Sequence, residues 1–240
     1  MNNKILELES SARQEFSDAS DYIWKSLHFV EHETKLEKNK LIEYFQNDEE
    51  SAKLRWQLES KKLNNVFPYH ISVGNLFSIM SLFESYLFML SKEIEKETGT
   101  RVSLASRRGI SGILGYFKSV GVDILTLDLY DQITAAIKIR NCLSHANGIL
   151  SRSENDELEI KRIQKSGVYL LKKYRDKRKS KGEKFDEVYL VNSEFGKQLK
   201  INNMYTFILS GYLRDFFIAL CGESSATLIS RRNNLTSAST

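Results

Sequence analysis

Three polar side chains occur close together near residue 140, and their types combine a permanent cation, an amide and a group that exchanges protons near neutral pH. Arg140, Asn141 and His145 lie in a stretch whose apolar spacing predicts a helix over residues 127–147. An arginine is always charged and can bind phosphate oxygens through several N–H donors. A histidine can accept or donate a proton near neutral pH. Because Asn141 and His145 are four residues apart, they lie on one helix face, and we expect all three groups near the end of one rigid element.

Glu84 and Ser144 are the polar residues expected to support this candidate site. Arg140 falls near the middle of the apolar face of the predicted 127–147 helix. A guanidinium at that position needs a partner, because it cannot lose its proton and unpaired burial is costly. Glu84 is an isolated acid on a strongly apolar stretch, so it is the expected partner of Arg140. In a purely structural interpretation this ion pair only stabilises the core, whereas in a functional one it also orients Arg140 toward phosphate. Ser144 directly precedes His145.

The central part of the chain, residues 66–221, is predicted to be a helical domain. After Pro68, apolar residues cover most sides of a helix predicted over residues 70–96, which is typical of a helix buried in a core. One face of this helix carries only small residues that would let a second helix approach closely: Gly74, Ser78, Ser81 and Ser85. Further helices are predicted over residues 106–120 and 194–221 from the same periodicity.

Three other segments have a different character. Residues 158–193 contain two β-prone runs, Val168–Leu171 and Val188–Val191, on either side of a basic stretch, which indicates a hairpin-like or flexible insertion. Residues 1–65 predict a helical hairpin or one long bent helix, and residues 222–240 have the composition of a disordered tail. The predicted fold class is all-α: an antiparallel helical bundle with an N-terminal helical extension and a small β-prone basic insertion.

Composition excludes several classes of protein. Of the 240 residues, 41% are hydrophobic, which is enough for a full core and excludes global disorder. Two cysteines do not make a disulfide framework and favour the reducing cytoplasm. The N-terminus lacks an apolar leader, and the run Leu76–Leu90 is too short and too polar for a membrane span. We therefore expect a cytoplasmic protein without membrane association.

The stretch 172–184, KKYRDKRKSKGEK, holds eight Lys or Arg residues and two acids, whereas the whole chain has a net charge of only +4. The sequence therefore predicts one basic arm, which by default is a solvated loop and in the functional interpretation contacts the RNA backbone with little sequence preference. Tyr169 and Tyr174 are candidates to stack on bases. The predicted RNA contacts are Lys172, Lys173, Arg175, Lys177, Arg178 and Lys179.

No metal or cofactor site is predicted. His28 and His32 are four residues apart, a spacing that can ligate a metal, but no third ligand accompanies them. Cys142 has no second histidine beside it and is expected to be a small buried residue. The glycines at 109, 112 and 115 lack the spacing of a phosphate-binding loop.

The segment IRNCLSHANG, residues 139–148, resembles the R-x4–6-H signature of the HEPN superfamily, in its form Arg-Asn-x-x-x-His. The order of elements is also similar: an apolar helix before the motif, β-prone fragments after it, and a final amphipathic helix. The resemblance covers about residues 66–221 and leaves residues 1–65 unexplained. It implies an antiparallel bundle that forms a homodimer, with two copies of the motif facing each other across a shared cleft.

The same resemblance implies a metal-independent endoribonuclease of the toxin–antitoxin or phage-defence kind. The ribose 2′-OH would attack the phosphate, with His145 moving protons, Arg140 neutralising charge and Asn141 orienting the histidine or the phosphate. Some members carry, two residues after the histidine, a tyrosine that a partner antitoxin modifies. Here that position is Asn147, so this type of regulation is not expected, which leaves another antitoxin or a regulatory protein as the candidate partner. The alternative function is a catalytically silent dimer that acts as an adaptor or as a regulatory or nucleotide-binding module.

Overall fold

The computed structural model describes residues 3–46, 48–102, 109–153 and 157–237. It confirms the all-α prediction with one small sheet. The elements in chain order are α1 (Asn3–Tyr44), α2 (Glu49–Lys61), a π-helical turn (Lys62–Val66), α3 (Phe67–Thr98), α4 (Gly109–Ser119), α5 (Tyr130–Ala146), a 3₁₀ turn (Leu150–Arg152), α6 (Glu157–Ser166), α7 (Lys172–Ser180), β1 (Val188–Ser193), β2 (Gly196–Ile201) and α8 (Asn203–Ser237).

The core is built by α1, α3 and α8. Asn75 of α3 lies beside Asn203 of α8, and further along the ring of Tyr86 packs 5.3 Å from that of Phe217, so α3 and α8 run in the same direction. Ser26 of α1 accepts a hydrogen bond from Asn75 Nδ2 at 3.2 Å, whereas Lys4 lies near the other end of α3. Helix α1 therefore runs antiparallel to its two neighbours.

Buried polar side chains fix the position of these three helices. Asn75 Nδ2 also donates to Asn203 Oδ1 at 3.1 Å, and Asn203 Nδ2 donates to the carbonyl of Ile23 at 2.6 Å. Both asparagines are buried, and a buried amide that lost these partners would be costly. The network thus sets the axial register of α1, α3 and α8.

The N-terminal segment contains two helices. Ile5, Ala12, Phe16 and Ile23 of α1 are buried, so this helix contributes to the same core as α3 and α8. Asp48 caps α2 by accepting from the backbone N–H of Ser51 at 3.0 Å, but α2 itself contributes no buried residue. The chain stays helical from α2 through the π-helical turn into α3, where Pro68 occupies the first turn, a position that proline tolerates.

The predicted 70–96 helix is confirmed as α3, and Gly99 ends it in the left-handed conformation, with φ 70°. The helices predicted over 106–120 and 127–147 correspond to α4 and α5, although residues 106–108 lie outside the described residues. The small-residue face of α3 is exposed at all four positions, Gly74, Ser78, Ser81 and Ser85.

The C-terminal third differs from prediction in three places. The run Val168–Leu171 forms a turn instead of a strand, and the basic stretch that follows is helix α7. The antiparallel hairpin lies later, where β1 pairs with β2 from Val188↔Ile201 to Ser193↔Gly196. Helix α8 begins only after β2, at Asn203. Lysine and arginine are good helix formers, which explains the helical basic stretch.

The expected disordered tail also differs. Helix α8 continues to Ser237, with Ser224, Ser225 and Leu228 buried. Arg231 Nη2 donates to the carbonyl of Val120 at 2.7 Å. These contacts attach the end of α8 to the loop after α4.

Two helical stretches, Glu49–Thr98 and Asn203–Arg231, are long and apolar enough to cross a membrane by composition alone. About half of each apolar window is buried inside the molecule, as is typical of helices that pack in a core. The two stretches are therefore weak evidence for a membrane location.

Candidate functional site

Helix α5 carries the candidate site at its C-terminal end. Its buried face contains Ile133, Ala135, Ala136, Ile139, Cys142, Leu143 and Ala146. The prediction that Arg140 lies in the middle of the buried face is wrong. At about 100° per residue, Arg140 lies at the edge of this face, where it is half-buried. Its guanidinium therefore reaches solvent without needing an internal ion pair.

Arg140 and Asn141 interact directly. Arg140 Nη1 donates a hydrogen bond to Asn141 Oδ1 at 3.1 Å, and both side chains are half-buried. With its oxygen occupied in this way, the Asn141 amide has two N–H donors left for a substrate. The pair therefore offers several donors and a positive charge on one side of the helix end.

His145 is exposed, as is Ser144 beside it. Within the part of the chain that the structure describes, no hydrogen bond to the imidazole is formed. The ring lies one turn beyond Asn141 on the same side of α5, since residues four apart have Cβ atoms about 5–6 Å apart. An exposed imidazole is accessible to a ribose and can exchange protons with it.

The end of α5 is held by β2. Asn147 adopts the left-handed conformation with φ 49°, its N–H bonds to the carbonyl of Cys142, and its carbonyl accepts from Gln198 Nε2 at 2.8 Å. Leu199 N donates to the carbonyl of Gly148 at 2.7 Å. Asparagine is favoured in this conformation, which explains why Asn147 follows the histidine by two residues here. The backbone that carries His145 is therefore fixed.

The expected ion pair between Arg140 and Glu84 is not found among the described residues. Glu84 lies on α3 and is half-buried. Its side chain approaches the start of α4, where Oε1 lies 3.5 Å from the position that a Cβ would take on Gly109. The prediction failed because it assumed that Arg140 was buried, and a half-exposed guanidinium does not need an internal carboxylate.

Sequence reasoning missed a groove of about 270 Å³ between α4 and α5. Asn141 lies on its wall together with two cations, Lys118 and Lys138, and Gly115 leaves the space open. Lys138 also lies near Glu159. The only signal for this groove in the sequence was the glycine-rich start of α4, which did not match a phosphate loop.

Lys200 was missed as well. It lies two residues after Gln198 on β2, hence on the same face of the strand, and its Nζ lies 4.7 Å from the centre of the Tyr69 ring. Burial raises the pKa of Tyr69, whose environment includes Cys142 of α5. A further positive charge therefore lies on the side of β2 that holds the end of α5.

The predicted RNA-binding residues of α7 do not form one uniform surface. Lys172, Lys173, Lys177 and Lys179 are exposed, and Lys173 Nζ lies 5.0 Å from the centre of the Tyr174 ring. Arg175 is half-buried, and its Nε has no hydrogen-bond partner among the described residues. Four exposed lysines therefore remain candidates for RNA contact.

Arg178 and Tyr169 have structural partners instead. Arg178 Nη1 donates to Glu187 Oε2 at 2.9 Å, its Nη2 contacts the other carboxylate oxygen, and Tyr169 Oη donates to Glu187 Oε2 at 3.1 Å. Glu187 is buried, and its carboxylate raises the pKa of Arg178 through a hydrogen bond. The predicted roles of Arg178 in binding phosphate and of Tyr169 in stacking on bases are therefore corrected, because both side chains are occupied.

Among the described residues, no three His, Cys, Asp or Glu side chains form a cluster suited to a metal ion. His28 Nδ1 lies 3.2 Å from Glu31 Oε2 on the exposed side of α1. Burial raises the pKa of the Cys221 thiol to about 12, which makes it unreactive near neutral pH.

Comparisons of the chain with models of protein families, with curated proteins and with solved structures found no match. The candidate site is therefore interpreted from its own residues.

Proposed function

We propose that this protein is a metal-independent endoribonuclease whose site is formed by Arg140, Asn141 and His145. The observation that carries the proposal is the exposed His145 imidazole on the same fixed helix end as the hydrogen-bonded Arg140–Asn141 pair. A base, a permanent cation and an amide donor are the groups that an attack by a ribose 2′-OH needs.

In this mechanism His145 removes the proton of the 2′-OH, and the oxygen attacks the adjacent phosphorus. Arg140 stabilises the negative charge that develops on the phosphorane oxygens, and Asn141 donates a hydrogen bond to one of them. The P–O5′ bond breaks and the leaving oxygen takes a proton, which gives a 2′,3′-cyclic phosphate and a 5′-hydroxyl. The same histidine, or that of a second copy, supplies this proton.

The proposal includes a homodimer. The small-residue face of α3 is exposed, and a Cβ on Gly74 would meet no atom within 4 Å, so another helix can pack closely there. In the proposed dimer the two α5 ends share one cleft, as the resemblance to HEPN proteins implies, and two imidazoles there would give separate groups for the acid and the base. We further propose a role in a toxin–antitoxin or phage-defence system, with an antitoxin or regulatory protein as partner. This role depends on the resemblance to HEPN proteins.

Cleavage of a mixed RNA substrate in EDTA tests the proposal. Arg140→Ala and His145→Ala are each expected to lower the rate about 100-fold or more, because charge stabilisation and general acid–base catalysis each contribute on that order. Arg55→Ala and His70→Ala remove exposed residues of the same types on α2 and α3, and we expect them to retain full activity.

The products provide a second readout. The expected products carry a 2′,3′-cyclic phosphate, and RNA with 2′-O-methyl groups should remain intact. Equal cleavage by the wild-type, Arg140→Ala and His145→Ala proteins would refute the proposal.

A non-catalytic adaptor is the second candidate function. It is favoured by α2, which has no buried residue and exposes Leu54 and Leu58 on one face. Exposed apolar residues at this spacing are typical of a helix that binds a partner. A stable dimer without cleavage of any RNA would favour this function over the nuclease.

A further inference from the structure

A groove of about 620 Å³ lies between α7 and α8, away from the α5 site. Its volume falls within the range of small-molecule sites, about 300–1,000 Å³. Residues of both helices line it, and Ser20 of α1 closes one side. Gly211 on its α8 wall has no atom within 4 Å of where a Cβ would stand, so the space extends to the helix backbone. We call it the α7–α8 groove.

Aromatic side chains line the groove. The ring of Phe207 packs against the ring of Trp24 on α1, with 5.2 Å between the ring centres. Tyr212 is fixed by its Oη, which accepts a hydrogen bond from Leu171 N at 3.3 Å. Tyr174 is about half exposed at the entrance, with 48% of its surface accessible. A ring that stays in place can stack on a planar ligand without much loss of conformational entropy.

Cations surround these rings. Lys177, Arg178, Lys181 and Arg214 line the groove, against two carboxylates, Glu183 and Asp215. The acids partly neutralise two of the cations, since Arg214 Nε lies 2.9 Å from Asp215 and Lys181 Nζ lies 3.7 Å from Glu183. Lys177 forms no ion pair with any other described residue. At least one full positive charge therefore remains beside the aromatic lining.

The framework of the groove is fixed. The ion pair of Arg178 with Glu187 attaches α7 to the residues just before β1, and α8 is a core helix. A groove between two fixed helices needs little rearrangement to bind a ligand.

We propose that the α7–α8 groove binds one nucleotide unit, with its base against Tyr174 and Phe207 and its phosphate at Lys177 and Lys181. Aromatic rings next to an uncompensated cation match the two halves of a nucleotide, a planar base and an anion. This site does not depend on cleavage at His145, because it shares no residue with the α5 site. The unit is either a free mononucleotide or one nucleotide of an RNA chain, and the test separates these two sources.

Binding is measured by calorimetry with AMP, UMP, adenosine and inorganic phosphate. Because each ligand half supplies part of the affinity, we expect AMP to bind at least about tenfold more tightly than adenosine or phosphate. A 2′-O-methyl tetranucleotide tests the RNA source. If it binds about tenfold or more tightly than AMP through the same groove, the unit belongs to RNA; if it does not, the unit is a free nucleotide.

Gly211→Phe fills the groove and should weaken AMP binding about tenfold or more. The matched control is Gly222→Phe, which lies on the same helix where a Cβ also meets no atom, and it should bind normally. Tyr174→Ala changes a residue that is about half exposed and should weaken the binding of AMP but not that of phosphate. Lys177→Gln should weaken AMP and reduce its salt dependence, whereas the exposed Lys165→Gln should do neither.

Three results would overturn the inference. These are the absence of nucleotide binding at millimolar concentration, equal affinity for AMP and phosphate, and AMP binding that Gly211→Phe and Tyr174→Ala leave unchanged. Undiminished RNA cleavage by His145→Ala would refute the nuclease site and leave the groove proposal intact. Absence of AMP binding would refute the groove proposal and leave the nuclease site intact, so the two proposals fail separately.

Discussion

Glu187 shows how one buried acid changes the role of a basic segment. Its carboxylate is almost fully buried and accepts hydrogen bonds from Arg178 and Tyr169. Burial and, after it, the neighbouring Glu187 carboxylate raise the pKa of Tyr169, which keeps its phenol protonated as a donor. One cation of the basic stretch therefore holds the helix to the core, and the exposed lysines around it are the residues able to meet a ligand.

We expect Arg178→Ala to destabilise the protein by about 2–3 kcal/mol. Removal of one partner of a buried pair leaves an uncompensated charge, which typically costs about 3–5 kcal/mol, and the partial exposure of Arg178 reduces this figure. Urea unfolding at neutral pH measures the change. Lys179→Ala, on the exposed side of α7, is the control and should change the free energy of unfolding by less than about 0.5 kcal/mol. Equal stability of the two variants would contradict the structural role of Arg178.

The residues that share the candidate site were easier to predict than the contacts that their side chains make. The positions of Arg140, Asn141 and His145 on one helix end followed from spacing alone, because helical periodicity is a local property. The partner of Arg140 did not, because the burial of a side chain depends on which helices pack beside it. Gln198 and Lys200 were missed for the same reason, because only the contacts of β2 with Asn147, Gly148 and Ile149 bring them to the end of α5.

At the level of elements, the junction between α5 and β2 determines whether His145 stays in place. Gly148 has φ 75°, and a Cβ there would lie 2.4 Å from the carbonyl oxygen of Leu199. That carbonyl belongs to the backbone of β2, which is itself paired with β1. The contact cannot relax by rotation of a side chain.

Gly148→Ala should therefore destabilise the protein by more than about 2 kcal/mol and lower RNA cleavage. Gly182→Ala is the matched control, since Gly182 also has a positive φ, 68°, but no atom within 4 Å of a Cβ. Its cost should be only that of the backbone conformation, about 1 kcal/mol. Thermal unfolding of both variants separates the steric effect from the conformational one. A similar cost for both would show that the junction can move.

The C-terminal part of α8 provides a second test at this level. A chain that ends at Gly222 loses the buried Leu228 and the hydrogen bond from Arg231 to Val120. Burial of a leucine contributes about 1.5–3 kcal/mol and a hydrogen bond about 1 kcal/mol. We expect a loss of about 2–4 kcal/mol in urea unfolding.

A chain that ends at Arg232 keeps both contacts and is the control for that truncation. It should unfold at the same urea concentration as the full chain. If both truncated chains were as stable as the full chain, residues 222–237 would behave as the disordered tail that their composition suggested.

Prediction of elements succeeded where apolar periodicity was strong and failed where it was weak. The helix α3 was predicted within three residues at each end, since its apolar residues and Gly99 provide clear signals. The basic α7 has no buried residue, so no periodicity was available to distinguish a helix from a loop. The end of α8 is polar in composition, and its burial depends on contact with the loop after α4.

At the level of the whole molecule, the hydrophobic core contains several buried tyrosines, on α3, on α8 and in the turn before α7. Burial raises the pKa of Tyr86, Tyr169 and Tyr205. Tyr205 Oη has no hydrogen-bond partner among the described residues, so its phenol is held mainly by packing. These tyrosines come from segments that extend from α3 to α8, so all of them reach solvent only when the whole domain unfolds. Their ionisation is therefore linked to global unfolding.

The sign of the linkage follows from the raised pKa values. Below the ordinary phenol pKa of about 10, both folded and unfolded states are protonated, and the stability is fully present. As the pH rises above about 10, the unfolded phenols ionise while the buried ones stay neutral, so the free energy of unfolding falls. Each buried phenol contributes up to about 1.4 kcal/mol per pH unit.

We therefore expect the urea midpoint to fall steeply between about pH 10 and 11. Tyr205→Phe removes one of these phenols without breaking a known hydrogen bond, so its midpoint should fall less steeply over the same range. Tyr44→Phe, at a position 82% exposed, controls for ionisation that does not depend on folding and should keep the wild-type slope. The same steepness in Tyr205→Phe and Tyr44→Phe would mean that the phenol of Tyr205 reaches solvent in the folded state, and that the packing of α8 against the core is looser than the structure shows.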